Sequence, residues 1–128
     1  MLRAISPPAL RAPLARYSHA VEVPAGARLL LCSGQLGIAR DETIPEDAAA
    51  QAELIFAAIG SILAAAGMAV SDVVRLNAYV SGREHLAAYM AVRDRWVAAP
   101  PPASTLMIVS GFAREAFKVE VEALAARL

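Results

Sequence analysis

The last quarter of the chain, residues 100–128, reads PPPASTLMIVSGFAREAFKVEVEALAARL and contains two segments with the character of β-strands. The second, at residues 117–124, begins with strict alternation of apolar and charged residues, which is typical of a strand with one buried face. Its apolar positions predict contact with helices. Its charged positions, including Glu120 and Glu122, lie on the other face, which is left for solvent, another subunit or a ligand. We expect any chemistry of this chain at that face.

Upstream of this stretch, the sequence predicts alternating strands and helices: a short strand at 2–5, a hairpin of strands at 17–23 and 28–34, a helix at 46–66, a strand at 72–80, a helix from 81 to about 98, and a strand at 104–109. Apolar residues at three- and four-residue spacing mark the helices. Interposed helices together with a direct hairpin predict the α+β class, with a mixed β-sheet and two helices packed on one face. We expect one domain, residues 1–128.

The composition limits which classes of binding partner and which cellular compartment we expect for this chain. Twelve basic and twelve acidic residues cancel, and no basic stretch stands out, so the chain lacks the charge pattern of a nucleic-acid-binding protein. The hydrophobic fraction of 58% predicts that apolar surface is buried between subunits. The single cysteine, Cys32, predicts a reduced, cytoplasmic setting. The uncharged run at 54–71 reaches the length of a membrane span, but its composition predicts a largely buried helix and no membrane contact.

Several short segments, in this order along nearly the whole chain, resemble the reactive intermediate deaminase family, also called RidA or YjgF. They are Tyr17 after a proline-rich start, CSGQL at 32–36, AAQA at 49–52, AAG at 65–67, VSDVV at 70–74, YV at 79–80, PA at 102–103 and KVEVEA at 118–123. The resemblance implies a chorismate-mutase-like fold and a homotrimer with three clefts between subunits. It also implies hydrolysis of reactive enamines and imines to 2-oxo acids and ammonia, without a metal or an organic cofactor.

The resemblance also assigns roles to residues in the cleft. It implies that Glu120 is the catalytic residue, which positions or activates water, and that Tyr17, Ser33 and Gly34 shape the pocket. The same residues have plainer interpretations, as a solvated strand carboxylate, a sheet aromatic and a strand-end turn. For Glu122, we expect a structural ion pair with a nearby basic residue, for which the candidates are Arg28, Arg75 and Lys118.

One position departs from the family pattern. Ser104 stands where the deaminases carry an arginine that clamps the substrate carboxylate. A hydroxyl offers at most one neutral hydrogen bond in place of two charge-assisted ones, a loss of roughly two decades in affinity. Ser104 and Thr105 could still contact a ligand or only join the sheet, and Arg114 could swing into the cleft as a substitute cation. Met90 and Ala58 stand where asparagine is common, which makes the cleft less polar.

These observations leave three functional hypotheses open. The first is a cofactor-free deaminase or related hydrolase that acts on a small molecule in an intersubunit cleft. The second is a trimeric module that binds a metabolite or a partner without turnover. The third is an endoribonuclease, a label attached to some members of this family, and the zero net charge argues against it. His19 and His85 show no metal-ligand spacing, so we expect no metal site.

Overall fold

The computed structural model describes all 128 residues and contains six strands and two α-helices. Their bounds are β1 Arg3–Ile5, β2 Ala20–Glu22, β3 Arg28–Leu36, α1 Ala48–Ala65, β4 Val73–Val80, α2 Leu86–Trp96, β5 Ala103–Ile108 and β6 Val119–Arg127. Short 3-10 turns precede β4 and α2. Both predicted helices form, and the predicted α+β class is confirmed.

Four strands form the main sheet in the order β3-β6-β4-β5. The last strand, β6, lies antiparallel to both of its neighbours, whereas β4 and β5 run parallel. Parallel neighbours cannot be joined by a tight turn, and α2 is the crossover that joins β4 to β5. Because β6 lies inside the sheet, Glu120 and Glu122 are flanked by strands on both sides.

The predicted hairpin between residues 17–23 and 28–34 is wrong. β2 pairs instead with β1 in a separate two-stranded sheet, where Val21 lies opposite Ala4. β3 pairs with β6, with Leu31 opposite Leu124. The predicted turn at Gly26 does form, with a positive φ of 82°. The turn residues are a local signal, but the choice of pairing partner is made by strands far away in the sequence.

The core lies between the helices and one face of the sheet. Helix α1 packs over β3 and β6 and also against α2. Phe56 of α1 contacts two aromatic rings of α2, with centroid distances of 5.9 Å to Tyr89 and 4.7 Å to Trp96. By length and composition α1 could cross a membrane, but its inner face supplies core residues, including Ile55 and Ile59, each 0% exposed. The Cys32 thiol lies in this core, and burial raises its pKa.

A buried glutamine ties three segments of the chain together. Gln51 of α1 is 0% exposed. Its Nε2 donates to the carbonyls of Pro45 and Ala116, both at 2.8 Å, and its Oε1 accepts from the backbone N–H of Lys118 at 2.9 Å. Gly37 lies so close that a Cβ there would come within 2.5 Å of the Gln51 Cβ. Gln51 therefore fixes the start of β6, two residues before Glu120.

Candidate functional site

The face of the sheet opposite the helices carries a row of polar side chains beside exposed apolar ones. We call this surface the open face and define it by Arg75, Asn77 and Tyr79 of β4, Thr105 and Met107 of β5, Glu120 and Glu122 of β6, and Leu29 and Leu31 of β3. Leu31 is 70% exposed and Leu29 is 61% exposed. A surface that joins carboxylates to exposed leucines suits contact with a ligand or another chain better than contact with water.

Glu122 is held by neutral donors on the open face. Its Oε1 accepts from the Tyr79 hydroxyl at 2.8 Å and from Asn77 Nδ2 at 3.2 Å. The hydrogen bond to Glu122 is the largest cause of a raised Tyr79 pKa, to which burial and the charges of both glutamates add. Tyr79 therefore stays protonated and acts as a donor.

The predicted ion pair of Glu122 is wrong. The Arg75 guanidinium donates to Asn77 Oδ1 at 2.8 Å and to Thr105 Oγ1 at 2.7 Å, and not to Glu122. Arg28 and Lys118 donate to backbone carbonyls elsewhere. Glu122 instead anchors a network of neutral side chains because Asn77 and Tyr79 of β4 lie opposite the two glutamates in the register.

Glu120 differs from Glu122 in having no such partners. It is half-buried, and its carboxylate accepts none of the hydrogen bonds that β4 supplies to Glu122. It lies opposite Tyr79 on one side and Leu36 on the other. Its lone pairs are therefore available to a molecule bound at the open face.

A β-bulge brings Gly34 against Glu120. The pairing of β3 with β6 shifts between Cys32 and Gln35, so Ser33 and Gly34 together lie opposite a single residue of β6. A Cβ on Gly34 would lie 2.2 Å from Glu120 Oε2, which means that only glycine leaves this carboxylate in place. The structure therefore brings Gly34 together with Glu120. Ser33 next to it is exposed.

The Gly34 contact predicts a selective loss of function. Gly34→Ala should displace the Glu120 carboxylate, a flexible group that can swing away, and so lower activity at least about tenfold with little loss of stability. Gly60→Ala is the matched control, because a Cβ at Gly60 meets nothing within 4 Å and alanine favours a helix. Steady-state rates and thermal unfolding of both variants check this. Equal activity of the two would contradict it.

Tyr17 and Ser104 lie at the other edge of the sheet. The Ser18 N–H donates to the Pro102 carbonyl at 2.9 Å and its Oγ donates to the Pro101 carbonyl, so the segment around Tyr17 is fixed to the loop before β5. The Tyr17 hydroxyl accepts from the Leu14 N–H. Ser104 pairs with the fully buried Leu76 and faces the helices. A single chain therefore does not bring Ser104 together with Glu120.

Two further residues, Thr105 and Arg114, were predicted as ligand contacts. Thr105 follows Ser104 but lies on the open face, because successive strand residues alternate sides. Arg114 is exposed, with its guanidinium carbon 5.8 Å from the centroid of the buried Phe117 ring. It forms no ion pair with Glu120 or Glu122, so it belongs to neither group of site residues.

Sequence reasoning missed the part that β4 plays in the site. Arg75, Asn77 and Tyr79 alternate with three fully buried apolar residues, Leu76, Ala78 and Val80. This period of two was visible in the sequence and would have placed the three polar side chains on one face. Their partner strand was not visible, because the register with β6 depends on long-range pairing.

A cavity lies at the end of the main sheet where β6 finishes. Its volume is about 590 Å³. It is lined by residues of the small N-terminal sheet, by the Pro100–Pro101 loop, and by Asp72 and Arg127 at the end of the main sheet. It is lined by none of the predicted site residues. No group of three or more His, Cys, Asp or Glu side chains converges as a metal site would require.

Comparison with protein-family models matches residues 8–127 to the family described as endoribonuclease L-PSP. The chain belongs to this family, the RidA/YjgF family. Among curated relatives, Protein DfrA from Myxococcus xanthus is 35% identical over 111 residues, which cover 85% of this chain and 83% of the relative. A 2-iminobutanoate/2-iminopropanoate deaminase from Dermatophagoides farinae is 27% identical over 124 residues, which cover 95% and 94%.

Solved structures of the RidA/YjgF family share the whole fold. YyfB of the Rid family, a protein of unknown function from Yersinia pestis, superposes with a TM-score of 0.87 at 30% identity over 98% of both chains. RidA from the Antarctic bacterium Psychrobacter superposes with a TM-score of 0.73 at 28% identity over 98% of this chain and 99% of that one. The family predicted from short segments is confirmed, and so is its fold.

Proposed function

We propose that this chain is a cofactor-free hydrolase of small imines and enamines, with Glu120 as the group that orients and activates water. In the proposed reaction, Glu120 accepts a proton from water as the water oxygen attacks the imine carbon. Glu120 passes that proton to the nitrogen, which gives a carbinolamine. The carbinolamine hydroxyl proton then moves to the nitrogen as the carbon–oxygen double bond forms, the carbon–nitrogen bond breaks and ammonia leaves. An enamine first gains a proton at carbon to become the imine. The products are a carbonyl compound and ammonia.

The contrast between the two glutamates carries this proposal. Glu120 and Glu122 share one face two residues apart, yet only Glu122 is occupied by donors of its own chain. A carboxylate with free lone pairs beside a backbone bulge can hold and deprotonate a water molecule, as a general base must. The deaminase name of the Dermatophagoides farinae relative supports the choice of reaction.

We further propose that a second copy of the chain completes the cleft, as a homotrimer in the cytoplasm. Gly34 and Glu120 lie where β3 meets β6, whereas Tyr17 and Ser104 lie at the β5 edge, with the width of the sheet between them. Neither half encloses a ligand alone. The exposed Leu29 and Leu31, on the same open face as Glu120, provide the apolar surface that a neighbouring copy would cover.

This assembly predicts the effect of a charge on the open face. Leu31→Glu should lower the mass of the particle measured by light scattering and abolish most of the activity, because a carboxylate cannot be buried unpaired in the interface. Leu10→Glu is the control, since Leu10 is 53% exposed, lies in the segment between β1 and β2 and belongs to neither the main sheet nor the open face. An unchanged mass for Leu31→Glu would contradict the proposed interface.

Two alternative functions compete with the proposed hydrolase, and the assay described in the next paragraph distinguishes among them. A non-catalytic binding module is favoured by Ser104, whose hydroxyl faces the helices and offers no cation to a substrate. An endoribonuclease, the activity in the family description, is disfavoured by the net charge of zero and by two carboxylates on the open face, which would repel phosphates.

The assay generates 2-imino acids in situ with an amino-acid oxidase and follows their capture by semicarbazide. A hydrolase lowers capture in proportion to its concentration, because it removes the imine first, and Glu120→Ala should restore capture. A binding module would leave capture unchanged at catalytic concentrations of protein. That result would overturn the proposed activity on 2-imino acids.

A further inference from the structure

The small N-terminal sheet turns its apolar face toward the cavity at the end of the main sheet. Its two strands, β1 and β2, pair only with each other. Arg3 and Glu22 lie opposite each other and form an exposed ion pair at 3.0 Å on the outer face. The next pair, Ala4 and Val21, lies on the other face and lines the cavity. The small sheet therefore presents apolar side chains to a space that the core does not fill.

A sheet of this size depends on something packed against it. Each strand has three residues, and two isolated strands have little stability of their own in water. Neither strand packs extensively on a helix or on the main sheet. The segment is fixed instead by two hydrogen bonds from Ser18 to the loop before β5. The apolar face of the small sheet is therefore open to another molecule.

The other walls of the cavity are also largely apolar. They come from the segment that follows α2, from the start of β4 and from the end of β6, and they include Ala98, Pro100, Pro101, Val73 and Ala126. The volume of about 590 Å³ lies within the range of roughly 300 to 1,000 Å³ that is usual for small-molecule sites. The cavity therefore suits a compact ligand with an apolar body.

One end of the cavity carries an ion pair with unused donors. Arg127 Nη1 donates to both oxygens of Asp72, at 3.1 and 3.4 Å. The Nε and Nη2 of the same guanidinium donate to nothing within the chain, and the Arg127 side chain is 51% exposed. This pair of nitrogens forms the edge with which an arginine binds an anion through two parallel hydrogen bonds. The free edge is accessible to a ligand in the cavity.

The charges of the side chains at this end do not cancel. Arg28 lies directly opposite Arg127 in the register of β3 with β6, so two guanidinium groups share one face of the sheet. Arg28 donates to the Ala66 carbonyl, which leaves Asp72 as the one carboxylate bound to either arginine. Like charges directly opposite on neighbouring strands repel. A singly charged anion would balance the excess positive charge.

We propose that this cavity binds a small amphipathic anion. Its apolar body lies between the small sheet and the Pro100–Pro101 loop, and its anionic head lies on the free edge of Arg127. A bound ligand of this kind joins the small sheet to the end of the main sheet. The cavity shares no lining residue with the site of the proposed reaction, so the proposal goes beyond the proposed function and does not depend on it.

Calorimetric titration of the full-length protein with octanoate, octanamide and acetate tests the class of ligand. We expect octanoate to bind, and octanamide to bind at least about tenfold more weakly because it has no charge. Acetate, which lacks the apolar body, should not bind detectably at the same concentrations. The proposal is overturned if octanoate does not bind, or if either of the other two compounds binds with the same affinity as octanoate.

A substitution at the charged end tests the role of the guanidinium. Arg127→Met should weaken octanoate binding by about 10- to 100-fold and leave octanamide binding nearly unchanged. Arg3→Met is the matched control, because Arg3 is exposed on the outer face of the small sheet and does not line the cavity. Equal losses for the two variants would show that octanoate responds to the overall charge of the protein and would overturn the site.

A substitution at the apolar end keeps the test decisive if Arg127→Met folds poorly. Ala4→Phe places a ring in the cavity, so it should weaken octanoate binding at least about tenfold without lowering the melting temperature. Arg3→Phe places the same ring on the outer face of β1 and should bind octanoate as the wild type does. Unchanged binding by Ala4→Phe would mean that octanoate binds elsewhere on the protein.

The outcomes also separate this site from the proposed reaction. Glu120→Gln should bind octanoate as the wild type does, because Glu120 does not line the cavity. Octanoate binding that depends on Arg127, in a protein without imine hydrolysis, would keep the anion site and remove the hydrolase. Imine hydrolysis by a protein that does not bind octanoate would remove the anion site and keep the hydrolase.

Discussion

Replacing Glu120 with glutamine is expected to lower kcat for imine hydrolysis by roughly 10²- to 10⁴-fold with little change in KM. Glutamine has nearly the same shape, so it fits against Gly34 as the carboxylate does. An amide cannot accept the proton of the attacking water, and so the loss falls on the chemical step and spares ground-state binding. Initial rates over a range of imine concentrations separate the two parameters.

Glu122→Gln is the matched control for this substitution. Its amide oxygen can still accept from Tyr79 and Asn77, so the network on the open face survives in part. We expect less than about a tenfold loss of kcat for this variant, because Glu122 does not take the proton. Similar losses for the two variants, or a loss that appears mainly in KM, would show that the face needs negative charge in general and would contradict a specific base at Glu120.

Replacing Gln51 with leucine is expected to lower the free energy of unfolding by roughly 3 to 6 kcal/mol. Leucine fills a similar volume but leaves two carbonyls and one N–H without partners at a fully buried position. Each such group lowers stability by about 1 to 3 kcal/mol. Because a domain of this size has a total stability of about 5 to 15 kcal/mol, the variant should be close to unfolded at 37 °C.

Urea titration followed by circular dichroism measures this loss. Gln35→Leu serves as the control, since the Gln35 side chain makes one local hydrogen bond, to Ser33 at 3.1 Å, in a half-buried position. We expect this control to change stability by less than about 1 kcal/mol. A loss below about 1 kcal/mol for Gln51→Leu would mean that the loops around Pro45 and Ala116 do not depend on this side chain.

The strand that carries the candidate site could be predicted from the sequence because its signal is local. Alternation at 117–124 placed Glu120 away from the core, and the core positions Val119, Val121 and Ala123 are indeed buried. The same alternation of side chains would have placed Ser104 and Thr105 on opposite faces of β5. The sequence analysis instead treated the two residues together as ligand contacts. The family resemblance implied only that Gly34 and Glu120 belong to one cleft, and the bulge is the feature that brings the two residues close together.

The features that sequence reasoning missed all depend on partners distant in the chain. The hairpin prediction failed because β3 pairs with β6, almost 100 residues later, and local turn chemistry does not report that pairing. Glu122 is hydrogen-bonded and Glu120 is not, and this difference depends on Asn77 and Tyr79 of the neighbouring strand β4.

The central claim is hydrolysis of an imine by a free carboxylate at Glu120, and parallel measurement of ammonia and 2-oxo acid tests it most directly. A 2-imino acid generated in situ is followed at one pH with wild-type protein, with Glu120→Gln and with buffer alone. The account predicts equal amounts of ammonia and 2-oxo acid, formed at a rate proportional to wild-type protein, with Glu120→Gln close to buffer. An imine that decays equally fast in all three samples would contradict it.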